Sequence, residues 1–243
     1  MGVFNFKKFS VVNERSAMKV NTDGVLLGAA MTIRQSDRNL LDIGTGTGTI
    51  ALMAAQRLSA DDSFNAVSIE AIDIDEPSAS EAAVNFSTSP WSDSLKVFNL
   101  PLDKFAESSD KSYDLIFSNP PYFEDSLTAP DERKSTARHT SEGLSYRDIL
   151  EFAKERLAAD GRVSFVLPAD QEHALSRYAR MCGLHLFRII KVRTVPRKAP
   201  GRIIAEFSRQ RADSPVEELL TIQDEGKYTQ EYLSLMHDFY LFA

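Results

Sequence analysis

The feature that most constrains the fold is an alternation of short apolar segments with longer segments between residues 40 and 208. The short segments are typical of strands, and the longer ones have the length and composition of helices. This alternation predicts an α/β fold with a doubly wound, mostly parallel sheet, because parallel strands need helical crossovers. The predicted strands are Leu40–Ile43, Ala66–Ile74, Lys96–Leu100, Tyr113–Phe117, Arg162–Leu167, Leu186–Arg193 and Ile203–Ser208, and the predicted helices are Val25–Met31, Thr49–Leu58, Pro77–Phe86, Tyr146–Ala158, Ala169–Cys182 and Thr229–Leu241.

The last two predicted strands follow one another without a helix between them. This order indicates that the last two strands form an antiparallel hairpin, which makes up one outer edge of a seven-stranded sheet. The alternation of apolar and polar residues over Phe4–Val12 predicts a further strand or hairpin outside it.

Composition excludes several classes of protein. Hydrophobic residues make up 43% and charged residues 26% of the chain, as in folded proteins with a core. The single cysteine, Cys182, excludes a disulfide scaffold and a cysteine-based metal cluster, and suits a reducing compartment. No segment has the apolar length of a signal peptide or of a membrane span. We therefore expect a cytoplasmic protein with no membrane partner and no metal site, and we expect it to be monomeric.

Charge is distributed unevenly along the chain. The net charge of −7 alone argues against a nucleic-acid partner. Between Arg188 and Arg211, however, eight basic residues accompany only one acidic residue. A polyanionic partner therefore stays possible.

A glycine-rich turn lies where the first core strand should pass into a helix. Its sequence, from Leu41 to Thr49, is LDIGTGTGT. Glycines allow a sharp turn and close approach of a ligand, and the following helix offers free N–H groups. The third glycine comes two residues after the second, whereas a dinucleotide fingerprint needs a small residue three after it. The turn therefore suits a cofactor whose amino-acid part and ribose lie over it; a turn without ligand is the alternative. Its candidate binding residues are Asp42, Gly44, Thr45, Gly46 and Gly48.

Acidic residues follow the next two strands. Asp73 is placed to accept hydrogen bonds from both hydroxyl groups of a ribose, and Ile74 to pack on an adenine ring. Asp75 is the expected cap of the following helix. Asp103 is a candidate acceptor for an adenine amino group, or else a solvated loop residue.

The segment Ser118-Asn119-Pro120-Pro121-Tyr122-Phe123 follows the fourth core strand. Its prolines stiffen the loop and restrict Asn119 to extended geometry. The Asn119 side chain and the Pro120 carbonyl group can accept hydrogen bonds from a planar amino group, and Tyr122 offers a ring for stacking a flipped base. We therefore place catalysis on Asn119, Pro120, Pro121 and Tyr122, with Asn119 also near the cofactor and Phe123 near the substrate. A proline-rich loop with an incidental aromatic residue is the alternative.

Together, the glycine turn, Asp73, Asp103 and the NPPY loop resemble the class I S-adenosylmethionine-dependent methyltransferases that methylate amino groups, which have a Rossmann-like fold. The N-terminal segments FNFKKF (residues 4–9) and MKVNTDGVLLG (residues 18–28) further resemble the bacterial tRNA1(Val) (adenine(37)-N6)-methyltransferase family. The resemblance implies that residues 18–27 close over the cofactor, S-adenosyl-L-methionine. The resemblance thus adds Met18, Lys19, Thr22 and Asp23 to the cofactor site. The alternative for Asp23 is that it only caps the N-terminus of a helix.

The resemblance also implies tRNA as the partner. A solvated basic surface is the alternative for each basic residue, and a structural role is the alternative for His139. The candidate RNA contacts are Lys7, Lys8, Arg133, Lys134, Arg138, His139, Arg193, Arg197, Lys198 and Arg202.

The expected activity is methyl transfer to N6 of adenine in the anticodon loop, position 37 of tRNA1(Val). We expect one domain over residues 1–243, with a capping segment over 1–35, a catalytic core over 36–210 and an extension with a strand and a helix over 211–243. The alternatives are N6-methylation of adenine in ribosomal RNA or DNA, methylation of a protein glutamine, and an inactive RNA-binding domain. A dehydrogenase is disfavoured by Thr49 and by the NPPY loop.

Overall fold

The computed structural model describes residues 2–60, 66–121 and 143–243. Its strands and helices alternate through the middle of the chain, as the sequence predicts. The strands are β1 (Val3–Asn5), β2 (Ser10–Val12), β3 (Asn39–Ile43), β4 (Ser68–Ile72), β5 (Leu95–Phe98), β6 (Tyr113–Ser118), β7 (Leu157–Pro168), β8 (His185–Arg193), β9 (Arg202–Ser208), β10 (Val216–Thr221), β11 (Gln223–Asp224) and β12 (Lys227–Tyr228). The helices are α1 (Thr22–Ala30), α2 (Thr49–Leu58), α3 (Glu76–Ser87), α4 (Leu102–Ser108), α5 (Tyr146–Arg156), α6 (Glu172–Met181) and α7 (Gln230–Met236).

The central sheet has the strand order β10-β8-β9-β7-β6-β3-β4-β5. All its neighbouring pairs are parallel except the two made by β9, which runs antiparallel to both β7 and β8. The α/β fold with a doubly wound, mostly parallel sheet is therefore confirmed, as is the hairpin near the N-terminus, formed by β1 and β2.

Two details of the predicted sheet were wrong. In the described part of the chain the sheet has eight strands rather than seven, and the hairpin of β8 and β9 does not form its edge, because β10 pairs along the outer side of β8. The sequence of β10, VEELLT, does not alternate apolar and polar residues, and its first four residues are exposed. An exposed edge strand lacks the burial pattern by which strands are recognised.

Buried side chains fill both faces of the sheet. Helices α1, α2, α3 and α7 cover one face, and α4, α5 and α6 cover the other. Both layers are apolar, as expected for a parallel sheet covered on both sides. Among the described residues, none of the helices is long and apolar enough to span a bilayer.

The parallel strands bring four loops to one edge of the sheet. Strands β3, β4, β5 and β6 are mutually parallel neighbours in the order β5-β4-β3-β6. Their carboxyl ends therefore meet at the same edge, where α/β sheets bind ligands. The glycine turn, Asp73, Asp103 and Asn119 each follow one of these ends.

Candidate functional site

The glycine turn joins β3 to α2 in a conformation that favours glycine. Gly44, Gly46 and Gly48 have φ angles of 73°, 56° and 80°, in the left-handed region. The N–H groups of Gly44 and Thr45 donate to the Ile72 carbonyl oxygen at 2.9 and 3.0 Å, so the turn is bound to the end of β4. The sequence prediction of a strand–turn–helix at this position is confirmed.

Gly48 has no room for a side chain. A Cβ atom at this position would lie 2.5 Å from the Phe86 ring. We expect Gly48→Ala to lower the free energy of unfolding by about 2 kcal/mol, from backbone strain and overpacking together. Chemical denaturation measures this change. Gly201→Ala is the control, because among the described residues no atom beyond Gly201 and its two chain neighbours lies within 4 Å of its Cβ position. Equal losses in the two variants would contradict the account.

Asp73 follows β4 and faces the glycine turn. Its Oδ2 accepts the N–H of Gly46 at 2.8 Å, and its Oδ1 accepts the N–H of Asp75 at 2.9 Å. Burial raises the pKa of its carboxyl group. The neighbouring Ile74 side chain is 72% exposed, which leaves an apolar surface beside the carboxylate. Asp75 caps α3 by accepting the N–H of Ser78, as predicted.

Asp42, at the end of β3, is fully buried. Its Oδ2 accepts the Thr45 hydroxyl group at 2.7 Å, whereas its Oδ1 has no hydrogen-bond partner within the described part of the chain. Burial raises the pKa of Asp42 to about 7. A buried carboxylate oxygen without a partner is suited to accept a hydrogen bond from a ligand at the turn.

The raised pKa of Asp42 predicts a pH dependence of stability. The pKa of Asp42 in the unfolded chain is about 4. Between about pH 4 and pH 7 the folded protein therefore binds a proton that the unfolded chain does not bind. The free energy of unfolding therefore falls as the pH rises through this range. We expect Asp42→Asn to remove this contribution. Denaturation of both proteins at about pH 4.5 and about pH 7.5 measures it, and identical pH dependence would contradict it.

The segment between β2 and α1, residues 13–21, which we call the strap, lies over the glycine turn. A cavity of about 30 Å³ is lined by strap residues 18–21, Gly24 and Val25, by residues 44–47, Thr49 and Ile50 of the turn and α2, and by Asn119. A Cβ atom on Gly46 would lie 3.6 Å from the Met18 carbonyl oxygen. The structure thus brings three separately predicted segments together.

Asp23 does not cap α1. The N-cap is Asn21, whose side chain accepts the N–H of Gly24 at 2.9 Å, so the alternative offered for Asp23 was wrong. Asp23 lies in the first turn of α1 and forms an ion pair with Arg202 at 2.8 Å. Thr22, the first residue of the helix, is exposed, and the Lys19 ammonium group donates to the Glu14 carbonyl oxygen.

Asn119 and Pro120 are buried directly after β6, and Pro121 is exposed. The preceding Ser118 hydroxyl group donates to the Ile43 carbonyl oxygen at 2.6 Å, which ties this strand end to the glycine turn. Asp103 lies exposed in the first turn of α4. The other predicted residues of this region lie outside the described residues; they are Tyr122, Phe123, Arg133, Lys134, Arg138 and His139.

The remaining basic candidates divide into two groups. Lys8, Arg197 and Lys198 are exposed, the latter two in the loop between β8 and β9. The others contact the protein itself. Lys7 donates to the carbonyl oxygens of His237 and Ala243, Arg193 to Thr221 and Pro196, and Arg202 to Asp23.

Sequence reasoning missed the residues that hold the strap. Glu81 and Asn85, both buried in α3, accept hydrogen bonds from backbone N–H groups of residues 12 and 14–16. The available signal was a pair of polar residues spaced four apart on the apolar side of a helix, among Ala79, Ala82 and Phe86.

Known proteins match most or nearly all of the chain. Residues 15–178 match the model of the methyltransferase small domain family. The chain is 40% identical over 239 residues to a tRNA1(Val) (adenine(37)-N6)-methyltransferase from Parabacteroides distasonis, covering 98% of this chain and 97% of the relative. It is 38% identical over 240 residues to the protein of the same name from Yersinia enterocolitica, covering 99% and 93%.

Solved structures share the fold at low sequence identity. A predicted O-methyltransferase from Agrobacterium tumefaciens is 16% identical with a TM-score of 0.60, covering 89% of this chain and 96% of that chain. A methyltransferase from Pyrococcus furiosus is 19% identical with a TM-score of 0.57, covering 83% and 89%. These likenesses support the fold alone.

Proposed function

The chain belongs to the methyltransferase small domain family and, within it, to the tRNA1(Val) (adenine(37)-N6)-methyltransferases, and from this membership we propose that it methylates N6 of adenine 37 in the anticodon loop of tRNA1(Val). The methyl donor is S-adenosyl-L-methionine. The observation that carries the proposal is the joint lining of one cavity by the glycine turn, the strap and Asn119. The segments that we propose for cofactor binding and for orientation of the acceptor therefore line the same cavity.

The residues at the turn fit this cofactor. Asp42 has a buried oxygen without a partner in the described chain, and Gly44 and Gly46 line the cavity without a side chain. The Asp73 carboxylate would accept hydrogen bonds from the ribose hydroxyl groups, and exposed Ile74 would cover an adenine face. The other proposed cofactor residues are Met18, Lys19, Thr22, Asp23, Gly44, Thr45, Gly46, Gly48, Asp103 and Asn119.

Catalysis is proposed to depend on orientation of the acceptor. The bound cofactor supplies an electrophilic methyl group on a positively charged sulfur. The amino lone pair of adenine is delocalised into the ring, so the nitrogen is a weak nucleophile. Hydrogen bonds from the amino group to the Asn119 side-chain oxygen and the Pro120 carbonyl oxygen favour a tetrahedral nitrogen with its lone pair directed at the methyl group.

The proposed methyl transfer needs no strong base. A nitrogen–carbon bond forms as the sulfur–carbon bond breaks, and the electron pair of that bond stays on sulfur. The methylated nitrogen would be cationic and acidic, so it would release a proton to solvent water. Tyr122 is proposed to stack on the flipped base, whose extrusion costs less from a loop than from a duplex.

Exposed basic residues are proposed to contact the RNA backbone. Arg197 and Lys198 lie in the loop that follows β8. Strands β7 and β8 run in the same direction, because β9 is antiparallel to both, so this loop lies at the same edge of the sheet as Asn119. Contacts to phosphates predict an affinity that falls as the salt concentration rises, by an amount that grows with the number of contacts.

The test compares acceptors under one set of conditions. A transcript of tRNA1(Val), the same transcript with guanine at position 37, ribosomal RNA, DNA and a release-factor protein are each incubated with labelled S-adenosylmethionine. The proposal predicts label in the first transcript and none in the second. Equal labelling of the two transcripts, or preferential labelling of another acceptor, would overturn the assigned position or the assigned substrate.

A further inference from the structure

Glu81 makes an unusual set of contacts for a helix residue. It is only 4% exposed, and both of its carboxylate oxygens accept backbone hydrogen bonds from the strap. The N–H groups of Glu14 and Arg15 donate to Oε1 at 2.7 and 2.9 Å, and the N–H of Ser16 donates to Oε2 at 3.0 Å. Three consecutive N–H groups of the strap therefore converge on one side chain of α3.

Asn85, one helical turn further along, extends the same attachment. Its Oδ1 accepts the N–H of Val12 at 2.8 Å, and its Nδ2 donates to the Val12 carbonyl oxygen at 3.0 Å. Nδ2 also donates to the carbonyl oxygen of Thr47, in the glycine turn, at 2.8 Å. Helix α3 thus holds the beginning of the strap and the turn in one fixed relation.

The contacts continue from Glu81 to the cavity. The Ser16 hydroxyl group donates to the Met18 carbonyl oxygen at 3.0 Å and lies 2.9 Å from the Ser78 hydroxyl oxygen. Met18 and the next three residues line the cavity opposite Gly46. Glu81 itself does not line the cavity.

The Glu81 carboxylate is charged. Burial alone would raise its pKa, but the three backbone hydrogen bonds and the nearby Lys19 cation lower the pKa below its usual value. The carboxylate therefore stays ionised at neutral pH, and hydrogen bonds to an ionised acceptor are stronger than neutral ones.

We propose that Glu81 is a positioning residue that fixes the strap over the glycine turn and thereby sets the affinity for the cofactor without touching it. The inference rests on the proposed function, because it takes the ligand at the turn to be S-adenosylmethionine. It concerns cofactor retention and leaves the geometry of methyl transfer at Asn119 unchanged.

The test is Glu81→Gln in the full chain. The amide oxygen can replace one carboxylate oxygen, but the NH₂ group would face the N–H of Ser16 or of residues 14 and 15, and the charge is lost. We expect the Kd for S-adenosylmethionine, measured by calorimetry without RNA, and its KM to rise about tenfold, while kcat at saturating cofactor changes by less than about twofold. Amide hydrogen exchange of residues 14–16 should become faster, with exchange in α5 unchanged.

Glu155→Gln is the matched control, because Glu155 is exposed in α5, a helix on the opposite face of the sheet from α3. It should leave Kd, KM and exchange as in the wild type. Asn85→Ala is a second variant, expected to raise Kd in the same way should Glu81→Gln fold poorly.

The outcomes separate this inference from the proposed function. Wild-type protein that does not bind S-adenosylmethionine would overturn both. Wild-type binding with faster exchange in the strap of Glu81→Gln but an unchanged Kd would overturn only the positioning role. A loss of kcat with unchanged KM would also overturn it, since that pattern indicates a role in the chemical step.

Discussion

We expect Asn119→Ala to lower kcat for methyl transfer to tRNA by about 10²- to 10³-fold and to change the Kd for S-adenosylmethionine by less than about fivefold. Asn119 is buried at the end of β6 and lines the cavity beside the glycine turn. Its side-chain oxygen is the proposed acceptor for the adenine amino group, and without it the nitrogen lone pair is no longer held in line with the methyl group. Single-turnover transfer and calorimetry measure the two quantities separately.

Asn39→Ala is the control for this experiment, because Asn39 begins β3 at the opposite edge of the sheet. Its activity should stay near that of the wild type. Full turnover by Asn119→Ala with intact cofactor binding would remove Asn119 from the catalytic site. A loss of cofactor binding as large as the loss of activity would assign Asn119 to the cofactor instead.

We expect Asp73→Ala to weaken cofactor binding by about 10²-fold, because the ribose would lose the two charge-assisted hydrogen bonds proposed for Asp73. The same change removes the acceptor for the Gly46 N–H, which Asp73 holds at 2.8 Å. Asp73→Asn keeps one oxygen for this bond, and we expect a smaller loss of about tenfold. Calorimetric titration with S-adenosylmethionine measures both.

Asp93→Ala controls for loss of a carboxylate, since Asp93 lies exposed in the turn before β5. It should bind the cofactor as the wild type does. Unchanged affinity in Asp73→Ala would show that the ribose lies elsewhere, and would contradict the placement of the cofactor over the glycine turn.

The core of the fold and the meeting of the predicted segments at one edge of the sheet could be predicted from local patterns. Buried strands and the helices between them leave apolar periodicity in the sequence, and the parallel order then brings their carboxyl ends together. The glycine turn was predictable because left-handed backbone at Gly44, Gly46 and Gly48 restricts the residue type.

Structural features that depend on contacts between residues far apart in the sequence were less predictable. Asn21, Thr22 and Asp23 all have side chains that can cap a helix, and only the position of the first turn of α1 selects Asn21. Strand β10 is held by pairing with β8 and shows no burial pattern. The attachment of the strap joins residues more than sixty positions apart, which no local pattern reveals.

The most direct test of the central claim is transfer of labelled methyl groups from S-adenosylmethionine to unmodified bulk tRNA, followed by nucleoside analysis. The account predicts N6-methyladenosine as the labelled product, and its loss in Asn119→Ala. Cofactor binding without label in tRNA, or label in a nucleoside other than N6-methyladenosine, would contradict it.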